Sequence, residues 1–171
     1  MTTTLPVKIS FSLPDGWQAA PPDEVGAPGA AFVALHPASI DGGFTANITI
    51  SGEMRNDGAT LSEIADESVP RLEQAGTVRV LKKVDAGTPD IPGLTDPPGI
   101  LQNLVLSTTL RGEPVELCQS QLYLGMEDVN TPAKRAVLEF VLTAKQNQLD
   151  EVIEDFRQFL RTVRPADDTE A

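Results

Sequence analysis

The strongest constraint in this chain lies near its end. Leu149, Val152, Ile153, Phe156, Phe159, Leu160 and Val163 are spaced so that all fall on one side of an α-helix. Asp150, Glu151, Glu154, Asp155, Arg157 and Arg161 fill the positions between them. A stripe this unbroken must lie on an apolar surface, so a helix over Asn147 to Val163 demands a sheet to cover. The acidic residues gather toward its start, while Arg157, Arg161 and Arg164 stand toward its end, as the helix dipole favours. The acidic cluster therefore reads as structural rather than metal-binding.

The segment from Ile100 to Thr143 supplies that sheet. Leu110-Arg111-Gly112-Glu113 permits a two-residue hairpin turn, and pairing Leu110 with Glu113 sets Leu104 opposite Gln119, Gln102 opposite Gln121 and Ile100 opposite Tyr123. A second hairpin closing near Met126 to Thr131 sets Leu122 beside Ala136, Ser120 beside Leu138 and Cys118 beside Phe140. This is the apolar face that the last helix should cover.

Earlier in the chain, Val7, Ile9, Phe11 and Leu13 alternate with polar residues and predict a first strand. Residues 19 to 30 are rich in Pro and Gly and predict a loop. Ala31 to His36 and Phe44 to Ile50 read as a hairpin. Thr60-Leu61-Ser62-Glu63 has capping-box spacing, so a helix starts there, with hydroxyl and carboxylate satisfying free N–H groups reciprocally. Pro70 should kink or shorten that helix. Thr77 to Val84 returns to strand. Residues 85 to 99, with four prolines and three glycines, predict a long irregular connection that could close as a lid. The whole predicts an α+β fold: an antiparallel sheet of six or seven strands sandwiched between helices. One domain spans residues 5–165, followed by a disordered acidic tail over 166–171.

Composition narrows the partners. A formal net charge of −12 in 171 residues argues against nucleic acid, which requires a basic footprint, and against anionic lipid. No segment approaches the length of a membrane span. The start of the sequence has neither a basic region nor an apolar one, so a cytoplasmic location is expected, with an exported form as the alternative. Monomer is the default, with a homodimer through an exposed edge strand as the alternative.

Reaction chemistry is sparse. His36 is the only histidine and Cys118 the only cysteine, so a tetrahedral zinc site cannot be built without carboxylates. His36, beside Pro37, reads as a strand-end residue. Cys118 reads as inert packing, with no cation near to activate its thiol. Nucleophile-elbow, P-loop and dinucleotide-binding glycine motifs are all missing from the sequence. No catalytic residue, cofactor or metal is therefore assigned. Trp17, after the Pro14-Asp15-Gly16 turn, reads as an anchor of the first loop.

The other sheet face is more informative. The two registers bring Gln102, Gln119, Gln121, Tyr123, Arg135 and Glu139 together between Leu104, Leu106, Leu117, Val137 and Val141. Polar groups beside an apolar strip can orient a ligand, and this face is the candidate binding surface. The plainer reading is a solvated face half covered by the first helix.

With Phe11-Ser12-Leu13-Pro14-Asp15-Gly16-Trp17 at one end and the helix through Phe156 to Val163 at the other, the order of elements resembles the PsbP-like superfamily. The Leu-Pro-Asp-Gly-Trp opening, the strand-helix ending and the Gly-Pro-rich middle look most like the LpqN-type actinobacterial lipoproteins and their cytoplasmic relatives. The sequence departs from the lipoproteins in showing neither signal peptide nor lipidation cysteine. The resemblance implies a helix-sandwiched antiparallel sheet and an accessory, assembly or chaperone role with a protein partner. A small-molecule or lipid binder using the same face is the alternative. An enzyme would need two carboxyl groups converging in a cleft, one with a raised pKa.

Overall fold

The computed structural model describes residues 9–21, 30–39, 44–55, 57, 59–85, 99–110, 112–127 and 135–165. Its strands are β1 (Ile9–Ser10), β2 (Gln18–Ala20), β3 (Phe32–Leu35), β4 (Asn47–Met54), β5 (Thr77–Asp85), β6 (Gly99–Leu110), β7 (Glu113–Glu127), β8 (Arg135–Lys145) and β9 (Arg164–Pro165). Helix α1 (Leu61–Glu73) precedes β5, and α2 (Gln146–Thr162) follows β8. Seven strands form one antiparallel sheet in the order β2-β3-β4-β8-β7-β6-β5, while β1 and β9 pair with each other. The fold class is the α+β arrangement predicted, with one helix on each face.

Alternation decides the two faces. Ile48, Ile50, Leu122, Leu124, Leu138, Phe140 and Leu142 point to one side and are closed over by Val152, Phe156, Phe159 and Leu160 of α2. This is the main core, and burying each such large side chain contributes about 1.5–3 kcal/mol. Gln148, three residues into α2, accepts from the Lys145 N–H at 2.7 Å and caps the helix start. On the opposite side, Leu61, Ile64 and Ala65 of α1 pack on Ile100, Tyr123 and Val137.

The β6–β7 register is the predicted one, including Leu104 opposite Gln119, Gln102 opposite Gln121 and Ile100 opposite Tyr123. The β7–β8 register is not. Leu122 pairs with Phe140, Ser120 with Leu142 and Cys118 with Ala144, four residues along β8 from the prediction. The connection spans residues 128–134, longer than the loop assumed. An even slip leaves every side chain on its predicted face, so the apolar surface survives the error.

The first strand is shorter than predicted and lies outside the main sheet. Ile9 and Ser10 pair with Pro165 and Arg164, and the Ser12 N–H donates to Thr162 Oγ1 at 2.9 Å. Phe11 meets Phe32 and Phe159 edge-on, with ring centroids 4.9 and 5.3 Å apart. Its apolar side chains thus join the main core while its backbone bonds to the end of α2. Strand β2, which has no hydrophobic alternation, was not predicted. Gly16, at φ +90°, turns the chain so that Trp17 enters the core and donates its indole N–H to Asp155 of α2 at 3.0 Å.

Helix α1 begins as predicted, but its cap differs in detail. The Thr60 hydroxyl accepts from the Glu63 N–H at 3.1 Å and donates to the Glu63 carboxylate at 3.2 Å. The helix also runs past Pro70 to Glu73. One missing N–H near its end does not outweigh the burial of Leu61, Ile64, Ala65 and Ser68. Beyond α1, Gly76 sits where a Cβ would come 2.0 Å from the Ser107 carbonyl oxygen, so only glycine allows β5 to approach β6 there. As an outer strand, β5 carries a bulge between Val80 and Lys82, a device that discourages edge-to-edge pairing. Of the lid proposed over residues 85–99, Asp85 ends β5 and Gly99 begins β6, and residues 86–98, like the tail over 166–171, lie outside the described residues.

Candidate functional site: a groove between the first helix and the sheet

Helix α1 packs over β5, β6 and β7 and reaches Val137 of β8, while Glu139 of β8 and the facing residues of β4 line open space beside it. The step between helix and sheet is a groove. Its floor is made of Thr49, Ser51 and Gly52 of β4 with Val137, Glu139, Val141 and Thr143 of β8; its wall is Ile64, Glu67, Ser68, Pro70, Arg71 and Leu72 of α1. Two clefts of about 540 and 270 Å³ lie along it, and both are bounded by Arg71 and Glu139. Short side chains on β4 are what leave the space open. From Val137 to Thr143 the floor runs about 20 Å at strand rise.

Two ionic clamps hold the helix in place. On the groove side, Arg55 reaches Glu67 of α1 through both terminal nitrogens at 2.9 and 2.8 Å, and also bonds Glu53 at 3.0 Å and Asp57 at 2.9 Å. The Glu67 and Asp57 carboxyls are held below the ordinary carboxylate range by the Arg55 guanidinium, and those carboxylates, Glu67 first, hold Arg55 firmly charged. On the β5 side, Lys83 donates to the Ser62 carbonyl at 2.9 Å and pairs with Asp66.

The predicted site residues divide into three groups. Gln102, Gln121 and Tyr123 are almost fully buried beneath α1, at 0, 1 and 1% exposure. They do not form an open face, because the helix sits directly on them. Gln121 Oε1 is their hub: Gln102 Nε2 at 2.9 Å, the Tyr123 hydroxyl at 3.1 Å and the Ser68 hydroxyl at 3.2 Å all point to it. Most of these buried polar atoms satisfy one another, which makes their burial tolerable, while Gln102 Oε1 has no hydrogen-bond partner among the described residues.

Gln119 and Glu139 form the second group and do reach the groove. Gln119 accepts from Gln121 Nε2 at 2.9 Å and donates to Thr143 Oγ1 at 3.2 Å. Glu139 sits on the floor, with the Tyr123 hydroxyl 3.2 Å from its Oε1. Burial pushes the Glu139 carboxyl upward, an effect that Arg71 and the Tyr123 hydrogen bond reduce. Tyr123 has one proton and two acceptors, Gln121 and Glu139, so it cannot serve both at once. Burial, then the Glu139 charge, hold the Tyr123 phenol far above its ordinary value. Arg135 is the third case. It pairs with Glu127 at the start of β8, four residues from Glu139 on the same face, and its side chain lies outside those described.

Sequence reasoning missed the wall. Ile64, Glu67, Ser68 and Arg71 recur at helical spacing on α1, a polar continuation of its buried stripe, and this was the signal available. It also missed Arg55, which follows β4 with no periodic mark.

The other candidate residues lie elsewhere. His36 stands at the end of β3 beside Trp17, ring centroids 5.0 Å apart. Cys118 faces the α2 side of β7, half-buried, its thiol pushed up by burial and then by Glu116. Among the described residues, no group of three or more His, Cys, Asp or Glu could hold a metal, and no helix is long and apolar enough to cross a membrane.

Comparison with solved structures places this architecture. The crystal structure of LpqN, involved in cell envelope biogenesis of Mycobacterium tuberculosis, superposes with a TM-score of 0.65 at 11% identity, covering 95% of this chain and 86% of that one. The fold is PsbP-like. The solution structure of cyanobacterial PsbP from Synechocystis sp. matches with a TM-score of 0.56 at 12% identity, over 92% of this chain and 86% of that one. A variant of the protein Mog1 matches at 0.51 and 10% identity, over 95% and 93%. No family model and no curated protein matches the sequence.

Proposed function

We propose that the chain is a non-enzymatic accessory or chaperone-like domain that binds an extended segment of a partner protein in the groove between α1 and β8–β4. The observation that carries this reading is the shape and chemistry of the groove. It is long, open, bounded by a helix on one side and a strand on the other, and lined by Ser51, Glu53, Glu67, Arg71 and Glu139 as well as Val137 and Ile64. Pockets for small ligands are mostly apolar and enclosed. A polar trough across the face of β4 and β8 can take an extended segment whose alternate side chains reach the floor, where the polar side chains can bond it. The cell-envelope role named for LpqN is consistent with an accessory role of this kind.

Affinity enrichment with the whole chain, comparing the native protein with Ser51→Arg, tests the proposal. Filling the groove should remove the partner, whereas Arg157→Ala on the far side of α2 should retain it. A partner kept by the first variant and lost by the second would place binding elsewhere. A second reading, a small-molecule or lipid binder, rests on the volume of the larger cleft and would show as a ligand retained in a native mass spectrum. Turnover on an ester, phosphate or glycoside panel that fell about tenfold in His36→Ala, or in Glu139→Gln, whose carboxyl shares the larger cleft with Glu53, would overturn the non-enzymatic reading.

A further inference from the structure

Resting on the reading of the groove as a peptide site, we infer that the segment it takes carries a lysine or arginine whose charged head seats on Glu139, beside the Tyr123 hydroxyl. The charges along the larger cleft decide the sign. Glu53, Arg55, Glu67, Arg71 and Glu139 line it. Arg55 is enclosed by Glu53, Asp57 and Glu67, three carboxylates to one guanidinium, so that corner is anionic overall and holds nothing for an incoming anion.

Arg71 stands exposed on the helix wall, and a charge in water gains little from a partner. Glu139 is different. It lies on the floor and is largely withdrawn from water; among the described residues its side chain has the Tyr123 hydroxyl at 3.2 Å, a donor it shares with Gln121, and no ion pair. Coulomb energy rises as the effective dielectric falls, so a counter-ion gains more at Glu139 than anywhere else along the groove. Folding has already removed the water from this carboxylate, and its upward-shifted titration marks that cost. Only the cation's own desolvation remains to be offset. Both clefts open onto Glu139, so a side chain pointing down from an extended segment reaches it from either direction. The net charge of −12 draws a basic segment toward the chain as a whole.

Titration of the isotope-labelled whole chain by NMR with three capped pentapeptides tests this. The peptides are Thr-Val-X-Val-Thr, with X as lysine, norleucine or glutamate. The lysine peptide is expected to shift the amides of Val137 to Thr143 and Thr49 to Glu53, binding about fivefold more tightly than the norleucine peptide. Glu139→Gln should abolish that difference, and Arg71→Gln should widen it by removing the competing cation. In the native chain the preference should fade as pH drops and Glu139 takes up its proton, with Tyr123 on β7, Glu53 on β4, and Glu67 and Arg71 on α1 as the other charged or titrating neighbours. That last readout needs no variant to fold.

Equal binding of lysine and norleucine peptides at these amides would overturn the cation subsite while leaving the groove reading intact. A lysine preference that survives Glu139→Gln would do the same. Shifts elsewhere, none at millimolar peptide, or concentration-dependent shifts without peptide, which would mean a second copy of the chain occupies the groove, would overturn both.

Discussion

Tyr123 stands directly across from Glu139 in the β7–β8 ladder, and its hydroxyl lies 3.2 Å from the carboxylate on the groove floor. The pair joins a sealed network to an open cleft. On its inner side Tyr123 also faces Gln121 Oε1 at 3.1 Å, so a change of charge at Glu139 alters which acceptor the phenol serves.

Stability should respond to pH through Glu139. Its folded-state pKa is raised by burial, so the native protein holds this proton more tightly than the unfolded chain. Stability from this group is greatest below the ordinary glutamate value of about 4.3 and falls as pH rises through the window above it. Glu139→Gln, which cannot ionise, should melt higher than the native protein at pH 7, with the gap closing as pH drops toward 4. Thermal melts across that range check it. A gap that widens on acidification would mean Glu139 is stabilised as a carboxylate.

The buried glutamines should behave as a unit. Gln121→Leu leaves Gln102, Ser68 and Tyr123 without their shared acceptor and should cost about 1–3 kcal/mol in chemical denaturation. Gln102→Leu together with Gln121→Leu removes both sides of the 2.9 Å bond, so the double variant should cost less than the sum of the singles, with a coupling of about 0.5 kcal/mol or more.

Phe156 is 1% exposed in the centre of the main core. Phe156→Ala should destabilise the protein by about 3–5 kcal/mol, a large part of a typical domain's stability. An almost unchanged melting temperature would contradict the docking of α2 on the sheet.

Gly76→Ala should also be costly, although the residue has no side chain to lose. The added Cβ would meet the Ser107 carbonyl oxygen, a backbone atom that cannot rotate away. An overpacking cost of about 1–3 kcal/mol is expected, measured by denaturant unfolding.

Much of the architecture was legible because it rests on periodicity. The stripe of α2, the alternation of β6 to β8 and the Leu110–Glu113 turn are local patterns, and local patterns determine which face each side chain takes. The β6–β7 register followed from a short turn. The β7–β8 register did not, because a longer connection leaves several even slips that satisfy the same alternation, and tertiary contacts, with β4 on the other edge of β8 and with the helices on both faces, select one. Ile9 and Ser10 had a strand pattern too, yet their partner, Arg164–Pro165, lies at the other end of the chain, where no local signal could name it.

The candidate site shows the same division. By itself the sequence determined that Gln102, Gln119, Gln121, Tyr123 and Glu139 share a face, since side chains on paired strands alternate whatever lies above them. Only the tertiary structure decided which of them meet solvent. The placement of α1, held by Arg55 on one side and Lys83 on the other, seals Gln102, Gln121 and Tyr123 and leaves Glu139 beside the groove. That boundary depends on where a helix comes to rest across a sheet, a balance of packing and ion pairs among residues far apart in the chain, and no spacing along the sequence encodes it.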